Sequence, residues 1–278
     1  MFVFFVFVSY PAFAQINSGT IIIFNFAKNQ LVVAADSRGV DFNTGKPEDL
    51  ECKIARLNHK FIFASAGSVR FSSTLPNTVP SWDNTTLARE AVSNAAEKKR
   101  EIDVEAVANE WADAVRDHWN SFCSLSPLSC ARLTEARNGL LTSGMFFKAR
   151  DNKVSMDAAE FFFDISALPA PIHYYMGSKM VDCWSCGEGP SEKICAAGSH
   201  IEVAAKFCSE RKYHSKINIR THLKGATNQA RLAAKLIELT IDAYGVSSGD
   251  VGGPVDVATL RKDGSIRWNA IKKTCPEN

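Results

Sequence analysis

The 278-residue sequence shows almost no excess of either charge. It has 32 lysine and arginine residues against 30 aspartate and glutamate, a formal net charge of +2. The basic residues are scattered rather than striped, so no electrostatic footprint for nucleic acid is present. No apolar run approaches the roughly 20 residues that a membrane-spanning helix needs. No GxGxxG or phosphate loop follows a strand-like segment, so no cofactor is expected. Internal repeats, low-complexity tracts and linkers are also missing, and the length admits one large domain or two small ones. At 46% hydrophobic and 22% charged residues, the composition is that of an ordinary globular protein.

The N-terminus carries the first positive signal. Met1 to Ala14, MFVFFVFVSYPAFA, sets an apolar run ahead of Pro11 and the small-x-small triplet Ala12-Phe13-Ala14. That pattern reads as a signal peptide over residues 1–14, although no positive charge opens it; a buried strand is the competing reading. A secreted or periplasmic location follows, with no membrane association after cleavage. Eight cysteines (Cys52, Cys123, Cys130, Cys183, Cys186, Cys195, Cys208 and Cys275) fit disulfides in an exported chain. Cys123 and Cys130 bracket a short loop that one bridge would close. Cys183, Cys186 and Cys195 form a second cluster. A zinc site completed by Cys208 or His200 is the alternative there, weakened by the lack of a second CxxC or HxxxH; no metal is expected.

Periodicity gives the order of elements. Thr20–Phe26 and Gln30–Ala35 read as strands joined by a hairpin-length connection, followed by strands at Lys53–Leu57 and Phe61–Ala66. Two amphipathic helices follow, one carrying Leu87, Ala91 and Ala95 on a face, the other Val104, Val107, Trp111, Val115 and Trp119. A second β-rich stretch runs from about Gly139 to Phe163 and on to Met176. Helices at about Ser199–Lys212 and Ala226–Tyr244 and a final hairpin, Val255–Leu260 with Ile266–Trp268, complete the chain. Strand runs alternating with helix pairs imply an α+β fold with helices covering sheets.

Several motifs share one spacing. Gly19-Thr20 opens the first strand, and Ala34-Ala35-Asp36-Ser37-Arg38 ends the second, with Asp36 sixteen residues after Thr20. Lys53 precedes Ala66-Gly67, the glycine lying fourteen residues after the lysine. Ala197-Gly198-Ser199 stands before a helix, and Gly252-Gly253 before the last hairpin. In these motifs, from Thr20 to about Trp268, the chain resembles the proteasome β-subunit family of N-terminal-nucleophile threonine hydrolases. The resemblance implies a four-layer αββα sandwich of two antiparallel sheets between helix pairs, over a single domain at 20–278. It also implies a threonine-type peptidase or amidohydrolase acting on peptide or other amide bonds.

The chemistry explains the residue types. A threonine hydroxyl is a weak nucleophile without a base. An α-amino group, with a pKa of roughly 7.7–8.0, is a base suited to neutral pH, and an N-terminal threonine carries both groups. The resemblance assigns Thr20 as nucleophile and base, Lys53 as the neighbouring cation and Asp36 as its carboxylate. It assigns the Gly67 N–H to the developing oxyanion and Ser199 as support for the nucleophile. Residues 15–19 become a short propeptide, removed by attack of the Thr20 hydroxyl on the Gly19 carbonyl. The sequence departs from the family just before the glycine pair: Ser248 and Val251 fall where an Asp and a Ser are usual, and Asp250 is the nearby acid expected to substitute.

Substrate-binding positions are expected at Gly39, Ser65 and Glu51. Small Ser65 implies a roomy pocket, and Glu51 at its mouth a preference for a basic side chain. Ring-forming relatives make a homo-oligomer conceivable. Two other classes compete with the hydrolase: a catalytically silent relative acting as an assembly or binding module, and a disulfide-stapled scaffold outside the family.

Overall fold

The computed structural model describes residues 14–18, 20–27, 30–41, 45–67, 70–73, 81–98, 102–127, 130, 140–151, 153–163, 172–176, 182–185, 193–198, 200–210, 212, 226–244 and 249–275. The strands are β1 (Ala14–Ser18), β2 (Ile21–Ala27), β3 (Gln30–Ala35), β4 (Gly39–Asp41), β5 (Pro47–Glu48), β6 (Ile54–Arg56), β7 (Phe61–Gly67), β8 (Arg70–Ser73) and β9 (Trp82–Asp83). They continue as β10 (Leu140–Arg150), β11 (Lys153–Phe163), β12 (Ile172–Met176), β13 (Asp182–Ser185), β14 (Lys193–Gly198), β15 (Asp256–Arg261) and β16 (Ile266–Ala270). The helices are α1 (Asn84–Lys98), α2 (Val104–Leu125), α3 (Ile201–Ser209) and α4 (Ala226–Tyr244). The fold is therefore α+β. None of the described helices is long and apolar enough to cross a membrane.

Three antiparallel sheets form. One runs β13-β14-β2-β3-β15-β16, a second β12-β11-β10-β7-β6, and a third, smaller one β5-β4-β1-β8-β9. Strand alternation then assigns each face. On β2 and β3, Ile21, Ile23, Val32 and Ala34 pack with Ala204 and Cys208 of α3 and with Ala233, Leu236 and Ile237 of α4. The opposite faces of the same strands, Ile22, Phe24, Leu31 and Val33, meet Ile62, Ala64, Met145 and Phe147 of the second sheet. The other face of that sheet, Phe61, Phe63 and Phe146, packs with Leu87 and Ala91 of α1 and Trp111, Val115 and Trp119 of α2. Strands buried on both faces explain why β2, β3 and β7 read as continuous apolar runs. Each large side chain taken fully from water contributes roughly 1.5–3 kcal/mol. Trp111 lies directly over Gly144 of β10, where an added Cβ would come within 2.4 Å of its ring.

The long elements fall where periodicity places them, with Ala226–Tyr244 and Gln30–Ala35 matched at both ends. The third sheet was not expected. Its members β4 and β5 span three and two residues and carry no readable period. Its central strand, β1, lies in the segment read as leader. The helix expected from Ser199 begins at Ile201, because β14 continues to Gly198.

Candidate active site

Thr20 stands immediately before β2, and the β2–β3 hairpin sets its surroundings. The pairing of Ile22 with Ala35 brings Asp36 opposite Ile21. The Ile21 N–H donates to Asp36 Oδ1 at 3.0 Å, and the Asp36 N–H returns a bond to the Ile21 carbonyl at 3.3 Å. Asp36 Oδ2 accepts from the Gly252 N–H at 3.0 Å and the Arg38 N–H at 3.3 Å. Burial pushes the Asp36 carboxyl above the ordinary carboxylate range, while the charge of Lys53 and these three N–H donors pull it back.

Lys53 enters from the segment before β6. Its carbonyl accepts from the Ser65 N–H at 3.0 Å, which ties it to β7. Its Nζ donates to Thr20 Oγ1 and to the Arg38 carbonyl, the latter at 2.7 Å. Thr20, Asp36 and Lys53 are all fully buried. A buried ammonium needs compensating partners, and the carbonyl, the hydroxyl and the Asp36 charge supply them.

Two glycines close the nucleophile's surroundings. Gly198, at φ +99°, ends β14 so close to Thr20 that an added Cβ would lie 2.2 Å from the Thr20 carbonyl oxygen and 3.4 Å from the Ala66 Cβ. Gly67, at φ +80° and the end of β7, leaves no room either: a Cβ there would lie 2.7 Å from the Leu141 carbonyl oxygen. The start of β2 and the end of β14 thus meet at Thr20, with Ala66 of β7 beside Gly198.

The remaining expected residues divide. Ser199 and Ser248 lie outside the described residues. Asp250 bonds to His200, with Oδ1 3.0 Å from Nε2. Val251, at the place where the family carries a serine, is fully buried and apolar. Gly39 is buried at the start of β4, paired with Glu48 of β5. Ser65 is buried. The Glu51 carboxylate is committed to Arg70 at 2.6 Å, with Glu48 3.7 Å from the same guanidinium. Glu48, Glu51, Arg70, Asp83 and Arg89 line a groove of about 490 Å³, to which neither Gly39 nor Ser65 contributes.

Sequence reasoning gave no role to Arg38 and Asp49. They form a bidentate pair, Nε to Oδ1 at 2.6 Å and Nη2 to Oδ2 at 3.0 Å, and Arg38 Nη1 also reaches the Val251 carbonyl at 3.4 Å. The Arg38 hydrogen bond holds Asp49 below its ordinary range and raises Arg38 in return. The guanidinium lies where a Gly252 Cβ would be, 2.4 Å from Cζ, which explains that glycine. The AADSR arginine is therefore the clamp between the strand end and the glycine pair.

The leader is built into the fold. β1 pairs antiparallel with β4, Asn17 with Asp41 and Ser18 with Val40, and on its other edge with β8, from Ala14 with Ser73 to Asn17 with Arg70. Residues 14–18 are thus the central strand of a sheet.

Between described residues three disulfides fit an oxidising compartment: Cys123–Cys130 as its spacing implies, Cys183–Cys195, and Cys52–Cys275; Cys208 is disulfide-bonded as well. The Cys183–Cys195 bond removes two sulfurs that a zinc site in that cluster would need, and Cys186 lies outside the described residues. Among the described residues no cysteine is free. Compared with family models and with curated proteins, the chain matches none.

Proposed function

We propose that the protein is an exported N-terminal-nucleophile hydrolase of the proteasome β type, cleaving peptide or other amide bonds through Thr20. The carrying observation is the Lys53 Nζ bonded to Thr20 Oγ1 in a fully buried site shared with Asp36. A group that moves the nucleophile's proton must be within hydrogen-bond reach of it, and Lys53 is. The three hydrophobic clusters support a four-layer order of α1–α2, sheet, sheet and α3–α4.

In the uncleaved chain the Thr20 nitrogen is an amide and cannot act as base. Lys53 must first give up one proton; its neutral Nζ then takes the Oγ proton as Oγ attacks the Gly19 carbonyl carbon. The Gly19–Thr20 C–N bond then breaks, the nitrogen takes a proton, and Gly19 is left as an ester on Oγ. Water hydrolyses that ester, releasing the leader carboxylate and a free Thr20 amine. On an added substrate the amine accepts the Oγ proton, the Gly67 N–H stabilises the oxyanion, and an acyl-threonine forms and is hydrolysed. Removing one such oxyanion donor typically costs roughly 10²–10³-fold in rate.

The leader's position supports this order of events. A strand paired on both edges ends two residues before Thr20, and its departure would leave an extended slot between β4 and β8 for a substrate backbone. The same pairing favours a second reading, a silent binding module whose leader stays in place. One experiment separates them. The purified wild-type chain is expected to begin at Thr20 by mass and N-terminal sequencing, and Thr20→Ala to retain residues 15–19. A wild-type leader that persists removes the hydrolase reading.

Specificity follows from Glu51. Its charge is neutralised by Arg70, so the basic preference that Glu51 alone implies should emerge only when Arg70 is removed. Arg70→Ala is expected to raise cleavage after Lys and Arg several-fold on a peptide library. A profile identical to wild type would show that Glu51 does not face the substrate.

A further inference from the structure

Two backbone segments hold the Thr20 site from opposite sides. The β14–α3 junction sets Gly198 against the Thr20 carbonyl. The turn at 249–252 donates the Gly252 N–H to Asp36 and offers the Val251 carbonyl to Arg38. Among the described residues a side-chain contact joins the two segments: His200 Nε2 with Asp250 Oδ1, at 3.0 Å. His200 occupies the N-cap of α3 in the left-handed conformation, φ 58° and ψ 30°, which few non-glycine residues adopt. Its ring stacks on Tyr244 at the end of α4, centroids 4.7 Å apart and planes at 26°. The imidazole is one-fifth exposed and the carboxylate one-third, so solvent protons reach both.

We propose that His200 and Asp250 are positioning residues, a protonation-dependent latch that sets Thr20 through Gly198 and Gly252. The proposal rests on the Thr20 hydrolase reading, and it assigns the pair work that Val251 cannot do. With the imidazole charged, the contact is an ion pair as well as a hydrogen bond; with it neutral, only an ordinary hydrogen bond remains. Histidine titrates between pH 5 and 8, so the latch loosens as pH rises through that range. The groups facing the ring are Asp250, Glu202 at 3.7 Å from Nδ1, and Tyr244; Arg38 acts on Asp250 from the other side.

The test compares leader removal in the wild type, His200→Gln and Asp250→Asn from pH 5.5 to 8.5. The Thr20 site itself is common to all three, so the ratio of rates isolates the latch. Wild type should be about fivefold faster than either variant at pH 5.5, the difference between charged and neutral hydrogen bonds, with the ratio approaching one by pH 8.5. The double variant should be no slower than the singles. A ratio that does not change with pH, or no difference at all, overturns the proposal. A second readout does not depend on cleavage. In Thr20→Ala, the Gly198 and Gly252 amide resonances followed by NMR should move with pH between 5.5 and 8.5 and stop moving once Asp250→Asn is added; resonances that do not respond to pH, or respond equally in both, overturn the pair. Failure of wild type to lose its leader would instead remove the hydrolase reading and the positioning role with it.

Discussion

Lys53→Met should stop leader removal, slowing the appearance of the Thr20 N-terminus by about 10²–10⁴-fold, the range expected when a positioned proton carrier is lost. Methionine keeps the length and apolar stem of lysine but has no Nζ, so Thr20 Oγ1 and the Arg38 carbonyl both lose a donor. The substitution also carries a folding cost, because Asp36 stays fully buried and loses the Lys53 charge that opposes its desolvation. Breaking a buried pair from one side typically costs roughly 3–5 kcal/mol. Inactivity alone would therefore not separate chemistry from collapse. Asp36→Asn combined with Lys53→Met supplies the separation. With both charges gone, the double variant should recover much of the lost thermal stability while remaining unable to cleave. Recovery of cleavage in the double variant would show that Lys53 is not the proton carrier, and that its contact with Thr20 is structural.

The nearness of Thr20, Asp36 and Lys53 was legible from sequence because two of the intervals in the motif set are spanned by local antiparallel structure. Thr20 and Asp36 sit at the two ends of one hairpin, so sixteen residues suffice to face them. Lys53 and Gly67 are related in the same way through β6 and β7. The Cys123–Cys130 bridge, seven residues apart, was readable for the same reason. Non-local contacts left no such trace. His200 and Asp250 are 50 residues apart and belong to no period. Arg38 stood inside a recognised motif, but its partner Asp49 lies in an irregular loop. The β1 strand was masked by a stronger signal: an apolar run ending in a cleavage-like triplet reads as a leader, and its strand partners β4 and β8 are too short to announce themselves. Being a leader and being a strand are compatible in a chain that carries its first substrate bond inside its own fold.

Loss of the Cys52–Cys275 disulfide is expected to be the largest single change in stability. The bond closes a loop of 223 residues in sequence separation. Chain entropy values that closure at about 5 kcal/mol, against about 2.5 kcal/mol for the short Cys123–Cys130 loop. Cys52→Ser with Cys275→Ser should lower Tm by on the order of 10 °C, more than Cys123→Ser with Cys130→Ser. The two bonds also differ in what they hold. Cys52 immediately precedes Lys53. Cys275 ends a tail that turns back from β16, where the Lys272 N–H donates to Asp256 Oδ1 at 2.9 Å, its Nζ bonds the other carboxylate oxygen, and the Cys275 N–H caps the Lys272 carbonyl at 3.1 Å. Lys272 and Asp256 are buried, so the tail is anchored at this end and the disulfide ties it to the residue next to Lys53. Cys123 and Cys130 lie at the end of α2, among side chains of the cluster that joins α1 and α2 to the second sheet. At 25 °C, where both variants stay folded, leader removal should slow only when the Cys52 bond is absent. Equal rates in the two variants would mean that the tether stabilises the fold without helping to place Lys53. A loss confined to the Cys52–Cys275 variant would make the C-terminal tail part of the machinery that holds the nucleophile's partner.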